Sequence, residues 1–141
     1  MASQRSLDSV YMNIAAEVAN LSHCKRSKVG ALIVKDNNIL SFGYNGSPSG
    51  IDNCCEDKLA RTHWWVLHAE SNAIAKVAKS TQSSENATLY TTLSPCNDCS
   101  KIIIQAGITR VVYKDLYEKS QEGLDLMLDL NIKIDKWEQE V

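Results

Sequence analysis

Two short stretches of the sequence hold side chains that bind metal ions and transfer protons. In "LHAESNAI" His68 and Glu70 lie two residues apart, and "SPCNDCSK" supplies Cys96 and Cys99, the first of them 26 residues beyond Glu70. Two thiolates and one imidazole suit Zn²⁺, and three protein ligands leave a fourth coordination position for water. Because a structural zinc site normally fills all four positions with protein ligands, this set predicts a catalytic zinc.

The spacing within each stretch indicates how its side chains are presented. Zinc lowers the pKa of its bound water from about 16 to about 7, so hydroxide is available at neutral pH. Two residues of α-helix rotate the chain by about 200°, so His68 and Glu70 can serve one site only where the chain enters a helix. There we expect His68 to bind the metal and Glu70 to take a proton from the water.

The two cysteines are three positions apart, so on a helix they share one face. At the amino end of that helix the free N–H groups and the helix dipole favour a thiolate. A lone C-x-x-C is as typical of a redox pair or half of a structural zinc site, and a lone H-x-E is a common accident. Their combination, H-x-E…P-C-x-x-C, matches the signature of zinc nucleobase deaminases.

Composition predicts a globular protein of one domain, residues 1–141. Hydrophobic residues make up 44% and charged residues 23% of the 141 residues, which is enough for one continuous core. The net charge of −2 excludes a general attraction to nucleic acid, so an anionic ligand must be held by a few local cations. The start, "MASQRSLDSV", lacks a signal-peptide layout and no apolar run could span a bilayer. We therefore expect a cytosolic protein without membrane contact.

The elements that must position these residues follow from periodicity and turn residues. Apolar residues recur at helical spacing from 7 to about 22. "VGALIVKDNNILSFGYN" predicts a hairpin with its turn at 36–38, and the polar stretch from 44 to 61 predicts a long loop. The later elements are a helix in "AESNAIAKVAKS", a strand in "NATLYTTL", a helix in "PCNDCSKIIIQAG", a strand in "ITRVVY", a helix in "QEGLDLMLDL" and a last strand in "NIKI".

We expect Pro95 in the first turn of the cysteine helix and Gly107 at its end. The resulting order, α-β-β-α-β-α-β-α-β, predicts an α/β domain of three layers. In it a mixed sheet is covered by helices on both faces.

With "HAESNAI" and "SPCNDC" the chain resembles the zinc-dependent cytidine deaminase superfamily. Two further stretches, "CKRSKVGALIV" with "SFGYNGSP", and "VVYKDLY", resemble the deoxycytidylate (dCMP) deaminases within it, including the small forms carried by viruses. The resemblance covers about residues 7–130 and implies a three-layer α/β/α fold with about five strands. The metal motif alone also fits cytosine, cytidine, guanine and tRNA-adenosine deaminases, so the "GYNG" loop and its partners carry the narrower resemblance.

The resemblance also implies roles for single residues. The zinc ligands would be His68, Cys96 and Cys99. Glu70 would pass the proton of the water to N3 of the pyrimidine and later to the departing amine, after hydroxide attacks C4. The backbone N–H of Ala69 would hold the base carbonyl, and the backbone C=O of Ser94 the amino group.

For the rest of the nucleotide the resemblance points to three side chains. Asn45 matches an Asn that contacts the nucleoside, although an Asn before Gly46 is equally typical of a turn. Arg26 falls at a phosphate-binding position, where a guanidinium can hold two phosphate oxygens at once. Tyr117 matches a tyrosine near the same end. Alone, Arg26 would be read as a solvated surface cation.

The five cysteines leave three outside the catalytic motif. In a reducing compartment, thiols in C-x-x-C spacing are more often metal ligands or redox groups than structural disulfides. Some dCMP deaminases hold a second, structural zinc, and Cys24, Cys54 and His63 match its ligands loosely, with Cys55 or His23 as the fourth. A buried free cysteine that acts as a small hydrophobe is the alternative.

The predicted activity is hydrolysis of dCMP to dUMP and ammonia, which supplies dUMP for dTTP synthesis. A dCTP deaminase or one acting on both nucleotides is the alternative. A tRNA or single-stranded DNA deaminase is disfavoured, because such proteins carry a basic, often aromatic track. A zinc-stabilised binding module would leave Glu70 unexplained. The resemblance also implies a homo-oligomer, commonly a hexamer.

Overall fold

Helices and strands alternate along residues 1–119 and 121–139, the part of the chain that the computed structural model describes. The elements are α1 (Gln4–Ala19), β1 (Gly30–Lys35), β2 (Asn38–Tyr44), α2 (Ala69–Ala78), β3 (Thr88–Leu93), α3 (Asn97–Gln105), β4 (Arg110–Asp115), α4 (Glu122–Asp129) and β5 (Lys133–Lys136). This is the predicted order. Among the described residues, no helix has both the length and the apolar character needed to cross a membrane.

The five strands form one mixed sheet in the order β2-β1-β3-β4-β5. β1 pairs antiparallel with both β2 and β3, whereas β3, β4 and β5 run parallel. The hairpin closes with Asp36 and Asn37 at positive φ, the conformation that a two-residue turn needs and that Asp and Asn tolerate.

Two apolar clusters give the three layers. On one face, Met12 and Ala15 of α1 pack against Leu32 and Tyr90 of the sheet. On the other face the sheet packs against α2, α3 and α4, with Ala73, Val77, Ile103, Leu124 and Met127 among the buried residues. Helices on both faces leave the sheet with little access to water, which explains the nearly continuous burial of β1.

Glycine at position 43 lets α2 approach β2 closely. A Cβ there would overlap the backbone of Ala69 and Ala73. The same contact is reinforced by Ser41 Oγ, which donates to Ala73 O at 2.8 Å, and by Asn72 Nδ2, which donates to Tyr44 O at 3.0 Å. The amino end of α2 is therefore fixed against the sheet.

The topology brings four chain segments together at one end of the strands, which is called the sheet edge below. Because β1 runs antiparallel to its neighbours, the segment that enters β1 lies beside those that leave β2, β3 and β4. The residues carried by these segments include Arg26, Asn45, Ser94, Cys96 and Tyr117. The site is therefore assembled from connections at a single edge, as is usual for α/β sheets.

Candidate active site

His68, Cys96 and Cys99 form a group whose ligand atoms lie within 4.8 Å of one another. Both sulfurs lie 3.4 Å from His68 Nδ1. Tetrahedral zinc with Zn–S of about 2.3 Å and Zn–N of about 2.0 Å spaces such ligands about 3.5 Å apart. The residues therefore fit zinc, and among the described residues this is the one His/Cys/acid group close enough to hold a metal ion.

Helix ends present these ligands. His68 is the N-cap of α2, and Cys96 is the N-cap of α3, where its sulfur accepts from the backbone N–H of Cys99. The prediction that His68 and Glu70 flank a helix entrance is confirmed. The expectation for Pro95 is wrong, because Cys96 takes the capping position and Pro95 precedes it; Gly107 follows the helix at φ +80° as expected.

The titration of the metal-free group reflects the close sulfurs. A hydrogen bond from Cys99, followed by one from His68, lowers the pKa of Cys96 to about 4. The same contact, together with burial, raises the pKa of Cys99. The hydrogen bond with Cys96 raises the pKa of His68. One sulfur of the pair is thus already a thiolate at neutral pH, which is the form that binds metal.

Glu70 is the second residue of α2 and is only 4% exposed. Burial raises the pKa of its carboxyl group above the ordinary value. Thr91 Oγ1 lies 3.3 Å from Glu70 Oε1, while its single proton is donated to Leu93 O at the shorter distance of 2.8 Å. A carboxyl group with a raised pKa can both accept and return a proton near neutral pH.

A cavity of about 350 Å³ opens beside this group, a volume at the lower end for small-molecule sites. Its lining includes Arg26, Asn45, His68, Ala69, Glu70, Ser94, Cys96 and Tyr117. All of the predicted substrate contacts therefore meet in one cavity. As the first residue of α2, Ala69 has an N–H without an intrahelical acceptor, and Ser94 is buried at the end of β3.

Two positively charged side chains contribute to the lining of the same cavity. Arg26 and Lys119 both line it, and Ser94 Oγ accepts from the backbone N–H of Tyr117 at 2.6 Å. That bond ties the segment after β4 to the segment after β3. The cavity therefore combines a metal-binding group with two positive side chains.

Asn45 has a different set of contacts from the one its predicted role requires. Its Oδ1 accepts from the N–H of Val29 at 2.9 Å and its Nδ2 donates to Ser27 O at 2.7 Å. An Asn side chain can make four hydrogen bonds, so one acceptor and one donor position are left for a ligand. Asn45 also holds the segment that carries Arg26.

The structure does not bring together the residues predicted for a second zinc. Cys24 and Cys55 form a disulfide, and a disulfide sulfur has no thiolate charge with which to bind zinc. Cys54 is exposed, with its sulfur directed to Glu56 O, and the His63 ring stacks on Trp65. Cys24, Cys54 and His63 thus do not converge in the structure, and a second zinc stays a prediction.

Three contacts at the site were not found from the sequence. Thr91 is one of two consecutive threonines in a strand, and nothing in the pattern singles it out. Ser71 follows the "HAE" motif, and its hydroxyl lies 3.4 Å from Cys99 Sγ. Glu56 lines the cavity from the long loop. In the sequence it is indistinguishable from a solvated acidic residue of a polar loop. Each depends on a partner at least 21 residues away in the chain.

Known proteins resemble this chain over nearly its whole length. A family model described as "Cytidine and deoxycytidylate deaminase zinc-binding region" matches residues 5–115. The deoxycytidylate deaminase of Enterobacteria phage T4 is 36% identical, over 85% of this chain and 83% of that protein. The deoxycytidylate deaminase of Homo sapiens is 37% identical, over 86% of this chain and 72% of that protein.

A solved structure has the same fold. The crystal structure of dCMP deaminase from the cyanophage S-TIM5, in complex with dCMP and dUMP, superposes with a TM-score of 0.91 at 43% identity. The match covers 96% of this chain and 99% of that one. At this coverage the arrangement of helices and strands is shared from end to end.

Proposed function

The chain belongs to the family of cytidine and deoxycytidylate deaminases, and we propose that it hydrolyses dCMP to dUMP and ammonia. The observation that carries the proposal is one cavity lined by His68 and Cys96 of the metal-binding group, by Glu70 and by two cations. A nucleoside monophosphate offers a base for the first group and an anion for the second. The product dUMP is the precursor that dTTP synthesis needs.

His68, Cys96 and Cys99 would hold one zinc ion, and their 3.4 Å nitrogen–sulfur distances support that assignment. When bound, zinc supplies a water whose pKa is low enough for attack at neutral pH. Ser71 supports the ligand set, because a hydroxyl 3.4 Å from Cys99 Sγ can donate to a thiolate. A second zinc is not part of the proposal.

Glu70 would move the protons of the reaction. Its carboxylate takes a proton from the attacking water and gives it to N3 of the pyrimidine as the C4–O bond forms. It then takes the second proton of the former water and gives it to the amino group as the C4–N bond breaks, which releases ammonia and leaves the C4 carbonyl of dUMP. The raised pKa caused by burial suits a group that acts as base and acid in turn.

Backbone groups would orient the base. The N–H of Ala69 is positioned to donate to the base carbonyl and the C=O of Ser94 to accept from the amino group, because both residues line the cavity beside Glu70. Asn45 would contact the sugar with its remaining hydrogen-bonding capacity. Fixed backbone donors and acceptors need little reorganisation during the reaction.

Arg26 would hold the 5′-phosphate, with Lys119 as a second cation and Tyr117 at the same end. The overall net charge of −2 supplies no general attraction, so local cations must provide it. The same cations would serve a dCTP deaminase, which is the alternative substrate choice. The acidic balance disfavours a tRNA or single-stranded DNA substrate.

An ammonia-release assay tests the proposal directly. Purified protein loaded with zinc is offered deoxycytidine, cytidine, dCMP, dCTP and a cytosine-containing oligonucleotide in parallel. We expect the highest kcat/KM for dCMP. A higher value for dCTP would move the assignment to the alternative, and turnover of the oligonucleotide alone would overturn the nucleotide assignment.

The assembly that the resemblance implies is a homo-oligomer, commonly a hexamer. Exposed apolar side chains support an interface, since Trp64 is 90% and Leu59 71% exposed. Light scattering at working concentration measures the assembly, and a monomer mass would contradict it. A cytosolic location and a viral origin stay predictions.

A further inference from the structure

The segment that carries Arg26 has no regular structure of its own, and the long loop holds it at three consecutive residues. Cys24 is joined to Cys55 by a disulfide. The backbone N–H groups of Lys25 and Arg26 both donate to Glu56 Oε1, at 2.8 and 3.0 Å. Two neighbouring loop residues thus fasten three neighbouring residues at the wall of the cavity.

Glu56 is covered by the protein, with 8% of its surface exposed. The hydrogen bond from the Arg26 N–H, and then that from Lys25, hold the pKa of its carboxyl group below the ordinary value. The group is therefore ionised at neutral pH, and its bonds to the backbone are of the stronger, charge-assisted kind. Glu56 Oε2 has no protein partner.

The loop has contacts that fix Glu56 independently of the Arg26 segment. Asp57 Oδ1 accepts from the N–H groups of Leu59 and Arg61, at 2.8 and 3.0 Å. The N–H of His63 donates to Cys55 O at 2.8 Å, and Glu56 forms an antiparallel bridge with Thr62. The carboxylate therefore projects from a closed turn rather than from a free strand of loop.

We propose that Glu56 is a positioning residue that fixes the backbone of Arg26 and thereby determines the preference for a nucleotide over a nucleoside. The inference rests on the proposed function, in which Arg26 binds the phosphate. A carboxylate near a phosphate is unfavourable in direct electrostatic terms. Glu56 consequently acts through the backbone of Arg26. Positioning of Arg26 strengthens dCMP binding, whereas direct repulsion between the carboxylate and the phosphate would weaken it.

The experiment compares Glu56→Ala and Glu56→Gln with the wild-type protein on dCMP and deoxycytidine. Glu56→Ala removes both backbone bonds, so KM for dCMP should rise about ten-fold while deoxycytidine turnover is unchanged. Glu56→Gln keeps a neutral acceptor of the same shape, so its KM for dCMP should lie between those of the wild type and Glu56→Ala. Asp57→Asn is the control matched in charge: it removes one negative charge from the same loop and should keep the dCMP preference.

A double-mutant cycle shows whether Glu56 acts through Arg26. In an Arg26→Ala background the Glu56 substitutions should cause no further loss on dCMP, because the positioned side chain is gone. A lower KM for dCMP in Glu56→Ala or Glu56→Gln would mean that repulsion between the Glu56 carboxylate and the phosphate dominates. That result would overturn the inference. So would an equal loss on both substrates, which indicates a role in the loop fold alone.

The cycle also separates this inference from the proposed function. If Arg26→Ala lowers the ratio of dCMP to deoxycytidine turnover but neither Glu56 variant does, only the role of Glu56 is refuted. If Arg26→Ala leaves that ratio unchanged, the phosphate assignment itself fails. Should Glu56→Ala not fold, Glu56→Gln carries the same comparison, with a rise in KM of a few-fold expected.

Discussion

Two parts of the cavity lining are built in different ways. The proposed metal end contains His68, Glu70 and Cys96, and the proposed phosphate end contains Arg26. At the metal end, the ligands and Glu70 lie at the first residues of α2 and α3, which pack on the sheet through a continuous apolar core. At the proposed phosphate end, Arg26 lies in an irregular segment that is held by one disulfide, by Glu56 and by Asn45. In the proposed function, the residues of the reaction therefore lie at the ends of regular elements, and the residue that selects the substrate lies in a loop.

The difference indicates how each end can change. A helix end is fixed by many contacts along its whole length, so the loss of one neighbour displaces it little. A loop held by a few bonds moves when one of them is removed. Substitutions at the metal end should therefore affect the reaction with any cytosine substrate, and substitutions at the phosphate end should affect dCMP alone.

The largest effect is expected from Cys99→Ala. Each thiolate is one of three protein ligands, so zinc content should fall to near zero and activity on every substrate should disappear. Elemental analysis of the purified variant measures the metal. Cys54→Ala, which changes an exposed free cysteine, should retain zinc. Full zinc occupancy in Cys99→Ala would refute the ligand set.

Glu70→Gln should keep zinc and fold while losing about 10²–10⁴-fold in kcat, because it removes the group that transfers protons. The loss should be equal for dCMP and deoxycytidine, since the substitution lies at the metal end. Steady-state kinetics on both substrates, with zinc content as the control, tests this. Turnover within about ten-fold of wild type would exclude Glu70 from proton transfer.

Arg26→Ala should affect the two substrates differently. Charge-assisted hydrogen bonds are worth about 1.5–3 kcal/mol each, so kcat/KM for dCMP should fall by about ten- to more than a hundred-fold. Deoxycytidine lacks the phosphate, and its slow turnover should hardly change. An equal loss on both substrates would assign Arg26 to the fold or the assembly, and an unchanged dCMP rate would make Lys119 or Lys28 the next residue to test.

Cys55→Ser should have the smallest effect on activity. Cys24 and Cys55 are 31 residues apart in the chain, and loss of such a crosslink typically lowers the free energy of unfolding by about 2–4 kcal/mol. Calorimetry should show the lower Tm, with zinc content unchanged. Any rise in KM should be small and confined to dCMP, because Glu56 still holds the backbone of Arg26. Cys54→Ser is the control; zinc loss in Cys55→Ser would break the comparison between the two ends.

Most of the fold could be predicted because its signals are local. Helical periodicity identified α1, helix-forming residues identified α2, and the hairpin was indicated by aliphatic strands around Asp36 and Asn37. The predicted three-layer arrangement and the resemblance to cytidine deaminases are confirmed. Element ends differ by a few residues, as at Pro95, because capping depends on side-chain contacts that periodicity does not record.

The sequence by itself determined the metal group and Glu70. His68 and Glu70 are close in the chain, as are Cys96 and Cys99, and each pair is presented by the start of its own helix. Local spacing therefore determines which side chains are presented together at each helix start. Two cysteines and one histidine are typical zinc ligands, so few other functions were compatible with the group.

Only the tertiary structure decided the phosphate end. The partners of Arg26 and Cys24 are 30 and 31 residues away in the chain, across a loop without periodicity. For the cysteines outside the catalytic motif, residue types alone left a second zinc site and a buried free cysteine open, and the pairing of Cys24 with Cys55 was not predicted. Loop contacts over such distances depend on the sheet topology, which brings the four segments together. Local residue spacing carries no information about that topology.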